Sequence, residues 1–322
     1  MDDQNILVVG ETLVDMLPAV PGELRGVESY QRRAGGAPAN VAARLAAVGA
    51  DPLFWTRVGE DGFGDFLIET LDDRGVPSRF VEQDPTAKTT LAFVAHDETR
   101  DRSFTFYRDG TADTKLETGA VPTSTLEEIE WVYVGGVVLA AEPARSAVFD
   151  LLRRAREANC SVYFDPNWRP ELWDDDDTGV LEDAVEMADV LKATPDELEQ
   201  LGYRQESLNR RCEVVCRDGP HTVFLTRGDE GAMAYATADA PWGNGTVEHE
   251  GFDVDVVDTT GAGDAFVSAT VAALARRTAD LDRIVRFANA SAAISATTTG
   301  AMERPPDWKM ISEFVDSHTS HK

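Results

Sequence analysis

The chain has 322 residues, enough for one large α/β domain with a small appendage or for two domains of similar size. Its 58 acidic and 30 basic residues give a formal charge of −28, which argues against binding to nucleic acids or to anionic membranes. Because the sequence also lacks an uninterrupted apolar run long enough to span a membrane and the pattern of a signal peptide, we expect a cytoplasmic protein with no membrane partner.

Acidic residues are spread along the whole chain, whereas lysine is rare. Such a composition is typical of a halophilic protein, whose acidic surface keeps it soluble in a saline cytosol. An ordinary acidic protein or an acidic interaction surface is the alternative. The composition therefore predicts a folded state that depends on salt.

The chain begins with a short apolar segment, residues 6–10, that is typical of a buried strand at the start of an α/β sheet. This strand would place Glu11 and Asp15 just beyond the sheet edge. Small apolar residues at 39–48 then predict a helix. Further strands are predicted at 52–58, 131–134, 161–164, 190–192 and 222–225, and further helices at 144–158 and 265–276. Strands that alternate with helices predict a mainly parallel sheet with both faces covered.

Two segments, residues 13–34 and 89–106, break this alternation. Alternating apolar side chains such as Leu91 and Phe93 predict short antiparallel strands there. Together these strands would form a small sheet that covers a site at the ends of the main strands, and an extension of the main sheet's edge is the alternative. No repeat or long linker indicates a second domain. The sequence therefore predicts one domain over residues 1–322, with lid segments at about 13–34 and 89–112.

The most specific motif is the string Asp258-Thr-Thr-Gly-Ala-Gly-Asp264, which precedes a helix of small residues. Small residues leave backbone N–H groups uncovered, and the start of the helix directs its positive dipole end at the same point. We therefore expect Gly261, Ala262 and Gly263 to form an anion pocket for a transferring phosphoryl group. Asp264 is placed to accept the proton of a substrate hydroxyl as that hydroxyl attacks the γ-phosphate.

An isolated Gly-Ala-Gly-Asp segment would more simply be a turn followed by a helix cap. The longer string is more specific, and neither common nucleotide-binding signature competes with it. The chain lacks the Gly-x4-Gly-Lys-Ser/Thr of the P-loop, and Phe266 stands where a dinucleotide fingerprint needs its third glycine. The string therefore favours phosphoryl transfer by an enzyme without a P-loop.

A second motif, Gly35-Gly-Ala-Pro-Ala-Asn40, stands at the start of the first predicted helix. Gly35 and Gly36 would let backbone N–H groups approach a ligand closely, and Asn40 offers both a donor and an acceptor to a polyol. Asp15 can accept two hydrogen bonds from hydroxyl groups. Each of these residues alone is more often part of a turn or a cap, so their value lies in the combination.

The two motifs resemble the N-terminal and C-terminal signatures of the ribokinase/PfkB carbohydrate kinase family, and the resemblance extends over nearly the whole chain. It implies an α/β fold of the ribokinase-like type, a three-layer sandwich whose mainly parallel central sheet carries a small β lid. It also implies an ATP-dependent kinase that acts on a small sugar and uses Mg²⁺ and a monovalent cation such as K⁺. Lid strands of related enzymes often pair across a dimer, so we expect a possible homodimer through the lid.

The resemblance also implies roles for individual residues. Asp264 matches the catalytic base, and Gly261, Ala262 and Gly263 match the anion hole. The residues that match the family's sugar contacts are Asp15, Gly35, Gly36, Asn40, Arg108 and Arg169. The residues that match the family's nucleotide contacts are Thr226, Gly228, Gly261, Gly263 and Asn289. The loop that holds a monovalent cation matches Asp258, Thr260, Ser295 and Gly300. Glu197 matches the glutamate of an Asn-x-x-Glu motif near magnesium, but Thr194 replaces the asparagine, which weakens this assignment.

Within the family, segments 10–15, 106–113 and 165–173 look most like fructokinases. Guanidinium groups at Arg108 and Arg169 would suit a carboxylate better than a neutral hydroxyl, so 2-keto-3-deoxygluconate kinase is the alternative. Asp15 and Asp113 favour fructose, because a carboxylate pairs readily with neutral hydroxyls and would repel an acidic substrate.

Hypotheses from other classes fit less well. A non-catalytic sugar-binding protein of the same fold would not need the intact Asp264 and its anion pocket. A nucleoside kinase would need an apolar aromatic acceptor pocket in place of the polar Asp15, Asn40 and Arg108.

Overall fold

A computed structural model describes residues 5–20, 22–96, 102–173 and 178–319 of the chain, and within these ranges the backbone forms thirteen strands and ten α-helices. The strands are β1 (Ile6–Val9), β2 (Leu13–Pro18), β3 (Tyr30–Gly35), β4 (Leu53–Gly59), β5 (Val81–Asp84), β6 (Leu91–His96), β7 (Arg102–Tyr107), β8 (Trp131–Gly135), β9 (Ser161–Asp165), β10 (Val190–Ala193), β11 (Thr222–Thr226), β12 (Ala232–Ala236) and β13 (Gly245–His249). The helices are α1 (Ala37–Ala47), α2 (Gly62–Asp73), α3 (Thr123–Leu126), α4 (Ala144–Glu157), α5 (Thr178–Glu186), α6 (Pro195–Gln200), α7 (Leu208–Asp218), α8 (Ala262–Ala275), α9 (Leu281–Ala296) and α10 (Trp308–Thr319).

The large sheet has nine strands in the order β13-β12-β11-β10-β9-β8-β1-β4-β5. The seven strands from β11 to β5 are parallel, and β12 and β13 add an antiparallel edge. The order of the strands along the chain reverses at β1, which lies between β4 and β8. In open parallel sheets such a reversal opens a crevice at the carboxyl ends of the strands, where ligands bind.

Helices cover both faces of this sheet, because side chains that alternate along each strand point to opposite sides. In β1, Leu7 and Val9 pack into one apolar core, and Ile6 and Val8 pack into the other. Helices α3 to α7 contribute to the first core, and α1, α8, α9 and α10 contribute to the second. The predicted three-layer α/β arrangement is confirmed.

The small sheet contains four strands in the order β3-β2-β6-β7. The pairs β2–β3 and β6–β7 are antiparallel as predicted, but β2 and β6 pair in parallel, so the prediction of a wholly antiparallel sheet was wrong. The chain passes through β4, α2 and β5 between β2 and β6, and a connection of this length permits parallel pairing. The small sheet is separate from the large one, which rules out an edge extension. Residues 21 and 97–101 of the predicted lid lie outside the described residues.

Other boundaries follow the sequence closely. Helix α1 begins at Ala37, two residues before its predicted start, because Pro38 is well suited to the first turn of a helix. Helix α8 begins at Ala262 and so includes part of the Gly-rich string. No helix in the described ranges is both long and apolar enough to cross a membrane.

Candidate active site

The candidate site lies at the carboxyl edge of the parallel strands. Glu11 follows β1, Asp165 ends β9, Lys192 lies near the end of β10 and Thr226 ends β11. Because parallel strands end at the same edge, side chains distant in the sequence meet there. The loop after β1 leads into β2 of the small sheet, and β3 leads back into α1.

The turn before α8 depends on glycine. Gly261 caps the helix with a φ of 76°, and a Cβ atom at this position would lie 2.6 Å from the Cβ of Ala301. A Cβ atom at Gly263 would lie more than 4 Å from every atom of the described residues outside the adjoining backbone of α8 and its two chain neighbours. The amides of Gly263 and Asp264 belong to the first helical turn, whose N–H groups have no acceptor within the helix. This arrangement fits a pocket for an anion.

Asp264 joins the two sequence motifs. The Asn40 side-chain amide donates a 2.7 Å hydrogen bond to Asp264 Oδ2, so residues 224 positions apart form one cluster. Burial raises the pKa of Asp264, whereas the Asn40 hydrogen bond and the nearby charge of Arg44 lower it. The buried Asn40 Oδ1 has no hydrogen-bond partner among the described residues. That oxygen can accept a hydrogen bond from a substrate hydroxyl.

Arg44 also belongs to this cluster, although the sequence did not single it out. It lies one turn after Asn40 on α1, and its Nη2 donates 2.7 Å hydrogen bonds to Ser295 Oγ and to the Ala301 carbonyl. Burial lowers the pKa of Arg44 to about 10, which leaves it protonated at neutral pH. The four-residue spacing from Asn40, which puts both side chains on one face of α1, is the signal that could have found it.

The glycine pair makes room for the acceptor side of the site. A Cβ atom at Gly35 would lie 2.2 Å from Asp15 Oδ2. Gly36 has a φ of 97°, and a Cβ atom there would lie 2.6 Å from the Glu11 carbonyl oxygen. The two glycines therefore let the end of β3 pack against the Asp15 side chain and let the start of α1 pack against the segment that precedes β2.

Glu11 is a second residue that the motif analysis did not assign. Its Oε1 accepts a 3.2 Å hydrogen bond from the Ala37 amide at the start of α1. Its buried Oε2 has no hydrogen-bond partner within the described ranges. Burial raises the pKa of Glu11 to about 7, and charges at Arg108, Asp113 and Arg169 act on it in opposing directions. The Glu11 carboxyl group therefore lies among the predicted acceptor residues.

Arg108 forms a buried ion pair that alters its predicted role. Its Nε donates a 2.6 Å hydrogen bond to Asp113 Oδ2, and Asp113 Oδ1 accepts hydrogen bonds from the hydroxyls of Thr111 and Thr90. Both Asp113 oxygens are thus already used within the protein, so this carboxylate is not displayed to a substrate. Arg108 Nη2 is buried without a partner among the residues described.

Arg169 is half-buried, and its Nη1 donates a 2.9 Å hydrogen bond to the Trp168 carbonyl. Its charge lowers the pKa of both Glu11 and Asp264. Arg169 therefore lies within electrostatic range of the acceptor side and of the predicted base.

Glu197 and Thr194 cap a helix. The Thr194 hydroxyl accepts a hydrogen bond from the Glu197 amide, and the Glu197 carboxylate accepts hydrogen bonds from the amides of Thr194 and Trp168. Replacing the motif's asparagine with threonine therefore keeps a capping residue. Lys192 lies 3.2 Å from Asp165 Oδ1 and 3.9 Å from Glu197 Oε2. Burial lowers the pKa of Lys192, but these carboxylates raise it above its ordinary value, so Lys192 stays charged.

The predicted cation loop is held together by its own hydrogen bonds. Asp258 Oδ1 accepts hydrogen bonds from the Thr260 amide and hydroxyl, and Asp258 Oδ2 accepts a 3.2 Å bond from the Gly300 amide. Ser295 joins the same region through Arg44. No cluster of three His, Cys, Asp or Glu side chains suited to a metal ion occurs in the described residues. The loop's oxygen atoms fit a weakly bound monovalent cation better than a dedicated divalent site.

The predicted nucleotide residues lie on β11, the turn after it and α9. Thr226 ends β11, and the exposed Gly228 follows it with a φ of 64°. Asn289 is buried on α9, and its Nδ2 has no hydrogen-bond partner in the part of the chain described. An unpaired buried amide fits recognition of a polar ring edge such as that of adenine.

Comparisons with known proteins show what the chain as a whole is similar to. The sequence pattern of the pfkB family carbohydrate kinases matches residues 3–308. The chain is 32% identical to a fructokinase of Vibrio alginolyticus, over 96% of this chain and 98% of the relative. It is 33% identical to a fructokinase of Escherichia coli, over 94% of this chain and 96% of the relative.

Solved structures give the same result for the fold. A fructokinase from Xylella fastidiosa with bound ATP has a TM-score of 0.88 and 28% identity, covering 98% of this chain and 99% of that one. A fructokinase double mutant from Vibrio cholerae, crystallised with fructose, ADP and a potassium ion, has a TM-score of 0.84 and 30% identity, covering 98% of this chain and 99% of that one.

Proposed function

The chain belongs to the pfkB family of carbohydrate kinases, and we propose that this ATP-dependent sugar kinase acts on fructose. The contact between Asn40 and Asp264 is the observation that carries the proposal. It joins a side chain suited to a sugar hydroxyl to a carboxylate at the start of α8. One substrate hydroxyl can therefore lie beside the base and in front of the helix amides.

Asp264 acts as the general base in this proposal. As the sugar oxygen forms its bond to the γ-phosphorus, its proton passes to the Asp264 carboxylate, and the bond from the γ-phosphorus to the ADP oxygen breaks. A pKa raised by burial makes Asp264 a stronger base than an ordinary aspartate. The anion pocket at Gly261, Ala262 and Gly263 stabilises the charge on the transferring group through the backbone amides of the first turn of α8.

The acceptor side comprises Asp15, Gly35, Gly36, Asn40, Arg108 and Arg169. Its charge balance supports a neutral sugar over 2-keto-3-deoxygluconate. Asp113 already neutralises Arg108 at 2.6 Å, and Glu11 and Asp15 add carboxyl groups to the same region. A substrate carboxylate would meet these acids, and Arg169, which is half-buried, is the acceptor-side cation left to pair with it. Fructose needs only hydrogen bonds from its hydroxyls.

The nucleotide side comprises Thr226, Gly228, Gly261, Gly263 and Asn289. Mg²⁺ bound with ATP would neutralise the phosphate charge, and Glu197 would order the water around it. The loop of Asp258, Thr260, Ser295 and Gly300 would hold a monovalent cation such as K⁺. The oxygen-rich loop and the unpaired Asn289 amide support these assignments.

The small sheet serves as a lid over the acceptor side, as an insertion in a single kinase domain. Its β2 strand carries Asp15, and its position after β1 supports this role. A homodimer through the lid is part of the proposal, as is a cytoplasmic, halophilic protein with many surface acids. Dialysis into low salt should then unfold the protein, and full stability in low salt would contradict the halophilic assignment.

The function is tested by comparing kcat/KM for fructose and for 2-keto-3-deoxygluconate with ATP and Mg²⁺ in concentrated KCl. We expect a clear preference for fructose, with one phosphorylated product whose position is read by NMR. A large preference for the acid would overturn the choice of substrate. Sugar binding without turnover of any sugar would instead support a non-catalytic protein.

A further inference from the structure

A buried arginine lies beside the anion pocket. Arg44 is only 3% exposed, and its Nη2 donates to Ser295 Oγ and to the Ala301 carbonyl, each at 2.7 Å. The same nitrogen lies 3.4 Å from the point where a Cβ atom of Gly261 would stand, and Ala301 packs against that point as well. One guanidinium group therefore joins α1 to the end of α9 and to the segment after it, and it lies against the turn that opens α8.

The charge of Arg44 is not balanced by an adjacent acid. In the described ranges no carboxylate lies within ion-pair distance of Arg44, and its Nε and Nη1 are buried without hydrogen-bond partners. A buried and unpaired cation is costly, so a purely structural position would be filled more favourably by an apolar side chain. The acid that attracts Arg44 electrostatically is Asp264.

We propose that Arg44 is a positioning residue for phosphoryl transfer, which holds the segment 295–301 against the anion pocket and supplies a fixed positive charge within electrostatic range of Asp264. This inference rests on the proposed function of Asp264 as the base. Arg44 itself touches no substrate. It acts on the Gly261 turn through its hydrogen bond to Ala301, which packs against that turn, and it acts on Asp264 through its charge.

The charge of Arg44 acts on Asp264 together with other groups around it. The groups that face Asp264 are Arg44 on α1, Lys192 on β10, Arg169 after β9, Asp165 at the end of β9 and Tyr133 on β8. The cations favour the ionised form of Asp264, and Asp165 opposes it. Removing Arg44 therefore raises the pKa of Asp264, and a larger fraction of the base is protonated at a given pH.

The test compares Arg44→Met, which removes the charge but keeps the length, with Arg44→Lys, which keeps the charge. Wild-type and variant kcat are measured from pH 5 to pH 9 at saturating ATP and fructose. In Arg44→Met we expect kcat to fall about 10-fold to 100-fold and the acid limb of its pH profile to move up by about one pH unit. KM for fructose should change less than about threefold, because the side chain touches no substrate.

Arg44→Lys should keep the acid limb of the wild type, since a cation remains, and should recover part of the lost kcat. Arg276→Met is the matched control: Arg276 lies at the other end of α8, and its Nη2 also donates to a backbone carbonyl, that of Val48, at 2.8 Å. This variant should leave both kcat and the acid limb unchanged. Thermal melting of all three variants measures folding separately.

The inference is overturned if the pH profile of Arg44→Met superimposes on that of the wild type, or if Arg44→Lys loses activity and shifts as Arg44→Met does. If Arg44→Met does not fold, the kcat and acid limb of Arg44→Lys decide the question.

The ¹³C carboxyl resonance of Asp264, assigned by its loss in Asp264→Asn, should show the same rise in pKa and requires no turnover. Failure of wild type to phosphorylate fructose would reject the substrate, whereas an unchanged Asp264 resonance in Arg44→Met would reject the role of Arg44.

Discussion

The phosphate end and the acceptor end of the candidate site contain different kinds of groups. At the phosphate end, the motif consists of small residues whose backbone amides precede one carboxylate, with Gly261 and Gly263 leading to Asp264. At the acceptor end, charged side chains are buried together, as in the 2.6 Å pair of Arg108 and Asp113. The first end can be recognised from residue types alone. At the second, the charges are partly satisfied by one another, so residue types do not determine the substrate.

The largest effect is expected from Asp264→Asn, which tests the phosphate end. Loss of a general base should lower kcat by about 10²-fold to 10⁴-fold. Nucleotide affinity, measured by calorimetry, should change little because the helix amides remain. The matched control is Asp282→Asn, an exposed acid in the first turn of α9, which should retain full activity. Activity within about threefold of wild type in Asp264→Asn would contradict the assignment of the base.

Lys192→Met should produce the next largest effect, on stability. Lys192 bonds to Asp165 between the two ends of the site, and both side chains are buried. Removing one partner of a buried ion pair leaves the other uncompensated, so we expect a loss of about 3–5 kcal/mol in the free energy of unfolding. Chemical denaturation measures it. Lys309→Met, which removes an exposed ion pair with Glu313, is the control and should cost little. Equal stability of the two variants would contradict this.

Glu11→Gln probes the acceptor end through pH. The folded-state pKa of Glu11, about 7, exceeds its ordinary value of 4.5, so folding favours the protonated carboxyl group. The resulting contribution to the free energy of unfolding is present below about pH 4.5 and is lost as the pH rises through about 7. The glutamine cannot ionise. We therefore expect Glu11→Gln to be more stable than wild type at pH 8, by at most about 3 kcal/mol, and the difference to vanish near pH 4.

Thermal melting across this pH range checks the expectation, with the exposed Glu157→Gln as the control. A difference in melting temperature between Glu11→Gln and wild type that does not vary with pH would show that the Glu11 carboxyl is not destabilised by burial.

Gly263→Ala should have the smallest effect and is confined to the phosphate end. Apart from its chain neighbours and the backbone of α8, the added methyl group meets no atom of the described residues within 4 Å, so the fold should tolerate it. A phosphate that approaches the first-turn amides would meet the methyl group, and we expect kcat/KM for ATP to fall about tenfold. Gly62→Ala, at the start of α2 and also without close neighbours, should behave as wild type. If Gly263→Ala has the same kcat/KM for ATP as Gly62→Ala, the ATP phosphates do not approach the amides at this point.

The difference between the two ends also explains how far the sequence could be interpreted. The alternation of strands with helices predicted the parallel sheet. The two motifs identified Asn40 and Asp264, and the fold brings Asn40 Nδ2 to 2.7 Å from Asp264 Oδ2. The parallel pairing of β2 with β6 was missed, because pairing direction depends on the path of the chain between them and not on the strands' own residues.

Contacts between distant residues account for the remaining omissions. Arg44 forms a hydrogen bond with Ser295, 251 positions away, and no residue near Arg44 in the sequence indicates that partner. Asp113 was assigned to substrate selection because its neighbours could not show that Arg108 and two threonines already use its oxygens. Burial and pairing of charged groups arise only when the chain is folded, so they limit prediction chiefly at the acceptor end.

A crystal structure with fructose and a non-hydrolysable ATP analogue tests the central claim most directly. We predict one fructose hydroxyl oxygen within about 2.6–3.2 Å of an Asp264 carboxylate oxygen, with the γ-phosphate at the amides of Gly263 and Asp264. Fructose bound away from Asp264, or a γ-phosphate away from the start of α8, would contradict the account.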